Sequence, residues 1–147
     1  MIKLLGAIFA FALISNVAYS KTVEIEMLNK DDQGRKMIYS QELVHIDTGD
    51  TVTWIPTSKG HNVEIIAAPE GFDIPKKSKN GKEVSINFTV PGIYYYWCTP
   101  HKGMGMIGLV VVGHDTSNKD QIAKAKALGK SKKKLEHLLH MAEGHNH

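Results

Sequence analysis

Residues 93–112 read Ile93-Tyr94-Tyr95-Tyr96-Trp97-Cys98-Thr99-Pro100-His101-Lys102-Gly103-Met104-Gly105-Met106-Ile107-Gly108-Leu109-Val110-Val111-Val112. Aromatic and β-branched residues fill both ends, which predicts a strand on each side. Between them, Cys98 to Met106 carries Pro100, Gly103 and Gly105, the composition of an inter-strand loop.

Working upstream, Val23-Glu24-Ile25-Glu26-Met27 alternates apolar and polar residues with the period of a half-buried strand. Gly49-Asp50 punctuates before the β-rich run Thr51 to Ile55, and further runs cover Val63 to Ile66 and Val84 to Val90. Pro91-Gly92 supplies a turn between the last of these and Ile93. His45, flanked by Val44 and Ile46, reads as an ordinary strand residue facing away from both. Seven or eight short strands within residues 21–113 predict a mainly β fold, a two-sheet sandwich.

Downstream of Gly113 the pattern changes period. Ser117 followed by Asp120 resembles a shortened capping box, Ile122, Ala123 and Ala127 suit one helical face, and Gly129 is the expected stop. A second helix is expected from near Ser131, because Leu135, Leu138, Leu139 and Ala142 recur at i, i+3, i+4 and i+7. Residues 114–147 therefore predict a basic helical hairpin, its leucine face on the sandwich and its His-containing end frayed.

Residues 1–20 stand apart. Lys3 is the one charge, Leu4 to Val17 is almost wholly apolar, and Ala18-Tyr19-Ser20 places small residues where a signal peptidase reads them. The apolar run is too short to anchor the chain in a bilayer, which needs roughly 18–20 residues. The expected product is exported, with the working fold beginning at residue 21.

Composition excludes several classes. A single cysteine forbids an internal disulfide framework and any four-cysteine metal cluster, and a formal charge of +3 is too small to indicate nucleic-acid binding. An unpaired thiol in an exported protein is buried, shared with another chain, reactive, or held by a metal.

The metal reading follows from the neighbours of Cys98. One inter-strand loop brings thiol, the His101 imidazole and the thioethers of Met104 and Met106 together, and Gly60-His61-Asn62 offers a second imidazole before another strand. Two histidines, one cysteine and a weak axial methionine make up a blue-copper electron-transfer site. Each residue alone has a bland structural reading; their conjunction on the loop of an exported β-protein does not.

These residues carry a family resemblance. Met27-Leu28-Asn29-Lys30, Gly49-Asp50-Thr51-Val52-Thr53, Ile55-Pro56-Thr57, Lys59-Gly60-His61-Asn62-Val63-Glu64 and Cys98 to Met106 followed by Gly108 resemble the pseudoazurins, small periplasmic cupredoxins. The resemblance implies a Greek-key β-sandwich with a C-terminal pair of α-helices. It implies one copper ion cycling between Cu(II) and Cu(I), held by His61, Cys98, His101 and Met106, with Met104 left on the surface. It also suggests that Asn62 ties the two ligand loops together by hydrogen bonds.

Pro100 has no backbone N–H to offer the Cys98 sulfur, which keeps electron density on the sulfur and favours Cu(II); Pro100→Ala is expected to raise the reduction potential. By resemblance His101 is the electron port, within a docking patch of Pro100, Gly103 and Met104. Lys30, Lys59 and Lys102 would ring that patch, with Lys76, Lys77, Lys79 and Lys82 extending the rim toward an acidic redox partner such as a copper nitrite reductase or a c-type cytochrome. Trp97 and Lys102 depart from the family pattern, where lysine often precedes the cysteine and an aromatic residue follows the second histidine; both are expected on the docking face. The expected protein is a monomeric periplasmic electron carrier with no membrane anchor after cleavage, not an enzyme. The alternative is copper delivery or storage through His137, His140, His145 and His147.

Overall fold

The computed structural model describes residues 19–144. Its elements run β1 (Thr22–Lys30), β2 (Lys36–Tyr39), β3 (Leu43–Ile46), β4 (Thr51–Ile55), β5 (Glu64–Ala67), β6 (Val84–Asn87), β7 (Gly92–Trp97), a 3-10 turn (Thr99–Met104), β8 (Ile107–Val112), α1 (Lys119–Ala123) and α2 (Ser131–Glu143). The signal-peptide reading falls on residues 1–18, outside those described; so does the tail from residue 145.

Eight strands form two four-stranded sheets, ordered β2-β1-β4-β6 and β3-β8-β7-β5. Pairing is antiparallel except between β1 and β4 and between β3 and β8, where the chain crosses from one sheet to the other and returns beside an earlier strand. Ile25, Met27, Tyr39, Val52, Trp54, Phe88, Tyr94, Tyr96 and Val110 fill the space between the sheets. Tyr96 meets Tyr39 and Trp54 edge-on, ring centroids 4.9 and 5.0 Å apart, and Tyr94 meets Phe88 at 4.7 Å. Such tilted contacts set the positive ring edge against a negative face.

A second core lies on the opposite face of β7 and β8. Ile93, Tyr95, Trp97, Ile107, Leu109 and Val111 pack there against Ile122, Leu135, Leu138, Leu139 and Ala142 of the helices. This explains why β7 and β8 are buried at every position and read as continuous apolar runs instead of alternating ones. Gly108 faces the inter-sheet core, where a Cβ would stand 2.3 Å from the Tyr96 hydroxyl oxygen.

Several expected boundaries move. β2 was not among the expected runs, β5 begins one residue later than read, and β6 stops at Asn87, although Phe88 still bonds back to Asp50. The first helix is shorter than its pattern: it starts after Asn118, and Ala123 is exposed. Ser117 makes no capping box; its own amide is taken by Asp115 Oδ1 at 2.8 Å, a local Asx turn that competes with capping. Gly129 does not stop α1, which has already ended; it sits at φ +54° in the turn that opens α2. The second helix begins at Ser131 as expected, with its leucine face on β8.

Asn118 docks the extension. Its Oδ1 accepts the Ile93 N–H at 2.8 Å and its Nδ2 donates to the Ile93 carbonyl at 2.9 Å, so the side-chain amide pairs with β7 as a strand would. Gln121 Nε2 adds a bond to the Ala68 carbonyl at 3.0 Å.

Candidate metal centre

Two loops at one end of the sandwich build the site. His61 lies in the segment entering β5, and Cys98, His101 and Met106 lie on the segment between β7 and β8. The β7–β8 ladder ends at the Trp97–Ile107 pair, and the next residues stay clasped: Cys98 N–H donates to the Met106 carbonyl at 2.9 Å. Within the loop, His101 N–H donates to the Cys98 carbonyl at 3.0 Å and Met106 N–H to the His101 carbonyl at 3.3 Å. Pro100 suits the start of the 3-10 turn because it needs no N–H there, and Gly105 closes it at φ +94°. The turn swings His101 back over Cys98.

Three donor atoms converge. His61 Nδ1 and His101 Nδ1 are 3.1 Å apart, and Cys98 Sγ lies 3.4 Å from His101 Nδ1 and 3.7 Å from His61 Nδ1. A point equidistant from these three atoms is about 2.0 Å from each, the length of a first-row metal–nitrogen bond and a little less than a metal–sulfur bond. Among the described residues, these three form the one group of His, Cys, Asp or Glu side chains close enough together to share a metal ion. His61, Cys98 and Met106 are fully buried, and Cys98 and Met106 share the inter-sheet core. Soft thiolate and thioether beside two imidazoles are the donors that copper selects.

Burial holds both imidazoles below the usual histidine range, and His101 adds to the effect on His61, so their lone pairs are available for a metal. Burial pushes the Cys98 thiol up, against the opposing influence of the Asn62 and His101 backbone amides. A cation at the centre of the triangle supplies what the thiol needs to ionise.

A shell of hydrogen bonds orients the donors. The far nitrogen of His61, Nε2, lies 2.8 Å from Asn29 Oδ1, which directs Nδ1 inward. Asn62 joins the loops: its Oδ1 accepts the Thr99 N–H at 2.8 Å and its Nδ2 donates to Thr99 Oγ1 at 3.0 Å. The Tyr39 hydroxyl fixes the Asn62 carbonyl at 2.7 Å. Thr99 Oγ1 in turn donates to Glu64 Oε2 at 2.8 Å, and Trp97 Nε1 donates to the same oxygen at 2.7 Å. The parts played by Asn29, Glu64 and Thr99 had no signal in spacing; each depends on register between distant strands.

Pro100, Gly103 and Met104 are exposed beside the half-buried His101, with Met104 49% exposed while Met106 is inaccessible. Lys77, Lys79 and Pro100 line a shallow depression with Asn62 and Thr99, which places part of the expected lysine rim next to the site. Lys30 and Lys59 are exposed, each close in sequence to Asn29 or His61. Trp97 corrects the expectation of a docking-face residue: it is buried, facing the helices, because β7 alternation sends it to the second core. Lys102 covers it, Nζ 4.8 Å from the ring centroid. Among the described residues, His137 and His140 belong to no group of three ligands, and no helix is long and apolar enough to cross a membrane.

The comparisons with known proteins agree with this geometry. The family described as copper binding proteins, plastocyanin/azurin family, matches residues 25–113. The pseudoazurin of Paracoccus pantotrophus is 37% identical over 136 residues, covering 91% of this chain and 92% of the relative. Native pseudoazurin from Hyphomicrobium denitrificans superposes with a TM-score of 0.75 at 42% identity, over 82% of this chain and 97% of that one. Pseudoazurin from Methylobacterium extorquens gives 0.75 at 36% identity, over 82% and 98%. A two-sheet cupredoxin sandwich with two C-terminal helices, a converging His-Cys-His triangle and similarity along nearly the whole described chain place this protein in the pseudoazurin family of copper-binding proteins.

Proposed function

We propose that this protein carries single electrons in the periplasm, using one copper ion held by His61, Cys98, His101 and Met106. The observation that carries the proposal is the triangle of His61 Nδ1, His101 Nδ1 and Cys98 Sγ, whose sides of 3.1 to 3.7 Å suit one metal ion. When bound, copper supplies a one-electron couple that this donor set serves in both states.

The chain's own residues do the rest. The donor set contributes one negative charge, from Cys98, so the centre is +1 when oxidised and neutral when reduced. Neither state buries a large uncompensated charge. Asn29, Asn62 and Thr99 hold the ligand loops in one arrangement, which limits the rearrangement that accompanies each transfer. His101 reaches toward the exposed patch of Pro100, Gly103 and Met104, and Lys30, Lys59, Lys77 and Lys79 give its surroundings a positive rim. Small apolar-centred contacts with complementary charge suit partners that must part after transfer. An acidic face on a copper nitrite reductase or a c-type cytochrome fits that description.

Loading the protein with Cu(II) tests the reading. An intense visible thiolate-to-copper band, bleached reversibly by one electron and absent in Cys98→Ser, is expected. A pale, histidine-only spectrum that survives the substitution overturns it and directs attention to copper delivery by the tail histidines. Association with an acidic partner should slow on neutralising Lys59 and Lys102 and lose part of its salt dependence; unchanged rates remove these lysines from the docking face.

A further inference from the structure

The loop that carries His101 touches more than the sandwich. Its 3-10 turn ends at Met104, and the start of α2 lies against the end of that turn. Helix ends of either kind leave carbonyls at the C-terminus and amides at the N-terminus without partners in their own element. Here the opening of α2 satisfies carbonyls at the end of the turn. The Lys130 N–H donates to the Gly103 carbonyl at 3.0 Å, and the Ser131 hydroxyl donates to the Lys102 carbonyl. Ser131 is fully buried, although it is a polar residue on a lysine-rich helix.

The approach is close enough to restrict the turn before α2. Gly129 has φ +54°, and a Cβ on it would stand 2.4 Å from the Gly103 carbonyl oxygen. Gly105 faces the same helix, with the site of its missing Cβ 3.5 Å from Lys130 Cβ and from Lys134 Cε. One turn further on, the Lys134 ammonium pairs with Glu42, just before β3, and so pins the first turn of α2 to the sandwich. The leucine face of α2 lies on β8, which leads directly out of the ligand loop.

We propose that the opening of α2 is a clamp on the copper-ligand loop, with Ser131 as the positioning residue that fixes the Lys102–Gly103 backbone next to His101. The proposal rests on the copper-site reading above, but the clamp itself is a property of the chain. It gives the helical extension a role at the site: the extension limits how far the His101 loop can move, and so how much the ligand set relaxes when its charge changes. Ser131 touches no ligand atom and acts through the backbone of the loop.

The test compares the full chain with Ser131→Ala and Leu138→Ala. Alanine at 131 removes one hydroxyl and favours the helix, so the variant folds. Leu138→Ala weakens the packing of α2 without touching the clamp, and serves as the control for general destabilisation. In metal-free protein, amide hydrogen exchange is read at Cys98, His101 and Met106, whose N–H groups close the loop. Exchange at these amides should quicken several-fold in Ser131→Ala and stay near wild type at Leu109 of β8. In copper-loaded protein the same variant should shift the visible band ratio and slow electron self-exchange. Leu138→Ala should lower the melting temperature while leaving loop exchange and spectrum near wild type. The clamp is overturned if Ser131→Ala leaves both unchanged, or if Leu138→Ala alters them as much. A wild-type protein with no thiolate-to-copper band defeats the electron-carrier reading instead, and the metal-free exchange data then decide the clamp alone.

Discussion

Asn62 and Thr99 hold one another by two hydrogen bonds, Thr99 N–H to Asn62 Oδ1 at 2.8 Å and Asn62 Nδ2 to Thr99 Oγ1 at 3.0 Å, across the gap between the two segments that present the ligands. One partner follows His61 and the other follows Cys98, so the pair sets the separation of two donor atoms from different loop segments. Asn62→Ala leaves the Thr99 amide without its acceptor, at a cost of about 1–3 kcal/mol. Urea denaturation of the metal-free protein measures that loss, and the copper-loaded variant should also show a shifted visible band. An unchanged midpoint would show that water replaces the side chain at no cost.

Glu64 carries a charge into this network. Burial raises its carboxyl, but hydrogen bonds from Trp97 and Thr99 and the charges of Lys77 and Lys102 outweigh it and hold the group below the usual carboxylate range. A negative charge bonded to Thr99 favours the more positive, oxidised state of the centre. Glu64→Gln keeps the shape and removes the charge, so the reduction potential should rise; voltammetry reads the change, and a fall contradicts the electrostatic account.

Gly108 has no room for a side chain, since Tyr96 covers the place where a Cβ would go and is itself held edge-on by Tyr39 and Trp54. Gly108→Ala should cost about 3 kcal/mol, the upper part of the range for overpacked cores. Thermal unfolding checks it. A near-neutral result means that the Tyr96 ring can slide.

The buried tyrosines set an alkaline limit. Burial pushes Tyr94 up to about 12 and Tyr95 to about 12 as well; Tyr39 and Tyr96 are raised further. In the unfolded chain tyrosine ionises near 10, so above that pH the unfolded state holds fewer protons than the folded one and stability falls as pH rises. The stabilisation is complete below about pH 10 and is lost progressively through about pH 12. Urea midpoints of metal-free protein across that window should fall, and less steeply in Tyr95→Phe.

Much of this was legible in the sequence because local chemistry and tertiary placement agree. Cys98, His101 and Met106 lie within one loop whose flanking strands are strongly β, so the loop could be read as a unit, and Leu135 to Ala142 kept helical spacing because the helix has one buried face. The failures have a common cause. Ser117 looked like a cap, but Asp115 is nearer to its amide; Ala127 looked helical, but α1 ends at Ala123, with Asn118 and Gln121 bonded to the sandwich. Trp97 was placed on the wrong surface because its own strand is buried on both faces, where alternation no longer distinguishes inside from outside. Asn29 and Glu64 reach the site only through strand register, which no short motif encodes.

The bond pair between Asn118 and Ile93 has a consequence for how these molecules behave in a crowd. β5 pairs with β7 only from Tyr95 to Trp97, so the Ile93 end of β7 presents a free N–H and carbonyl on that side, the template on which a second chain can add a strand. The Asn118 amide occupies that template from within the same chain. Proteolytic loss of the C-terminal segment would therefore uncover a sticky edge together with the apolar outer face of β7 and β8, and the truncated molecules would begin to adhere to one another.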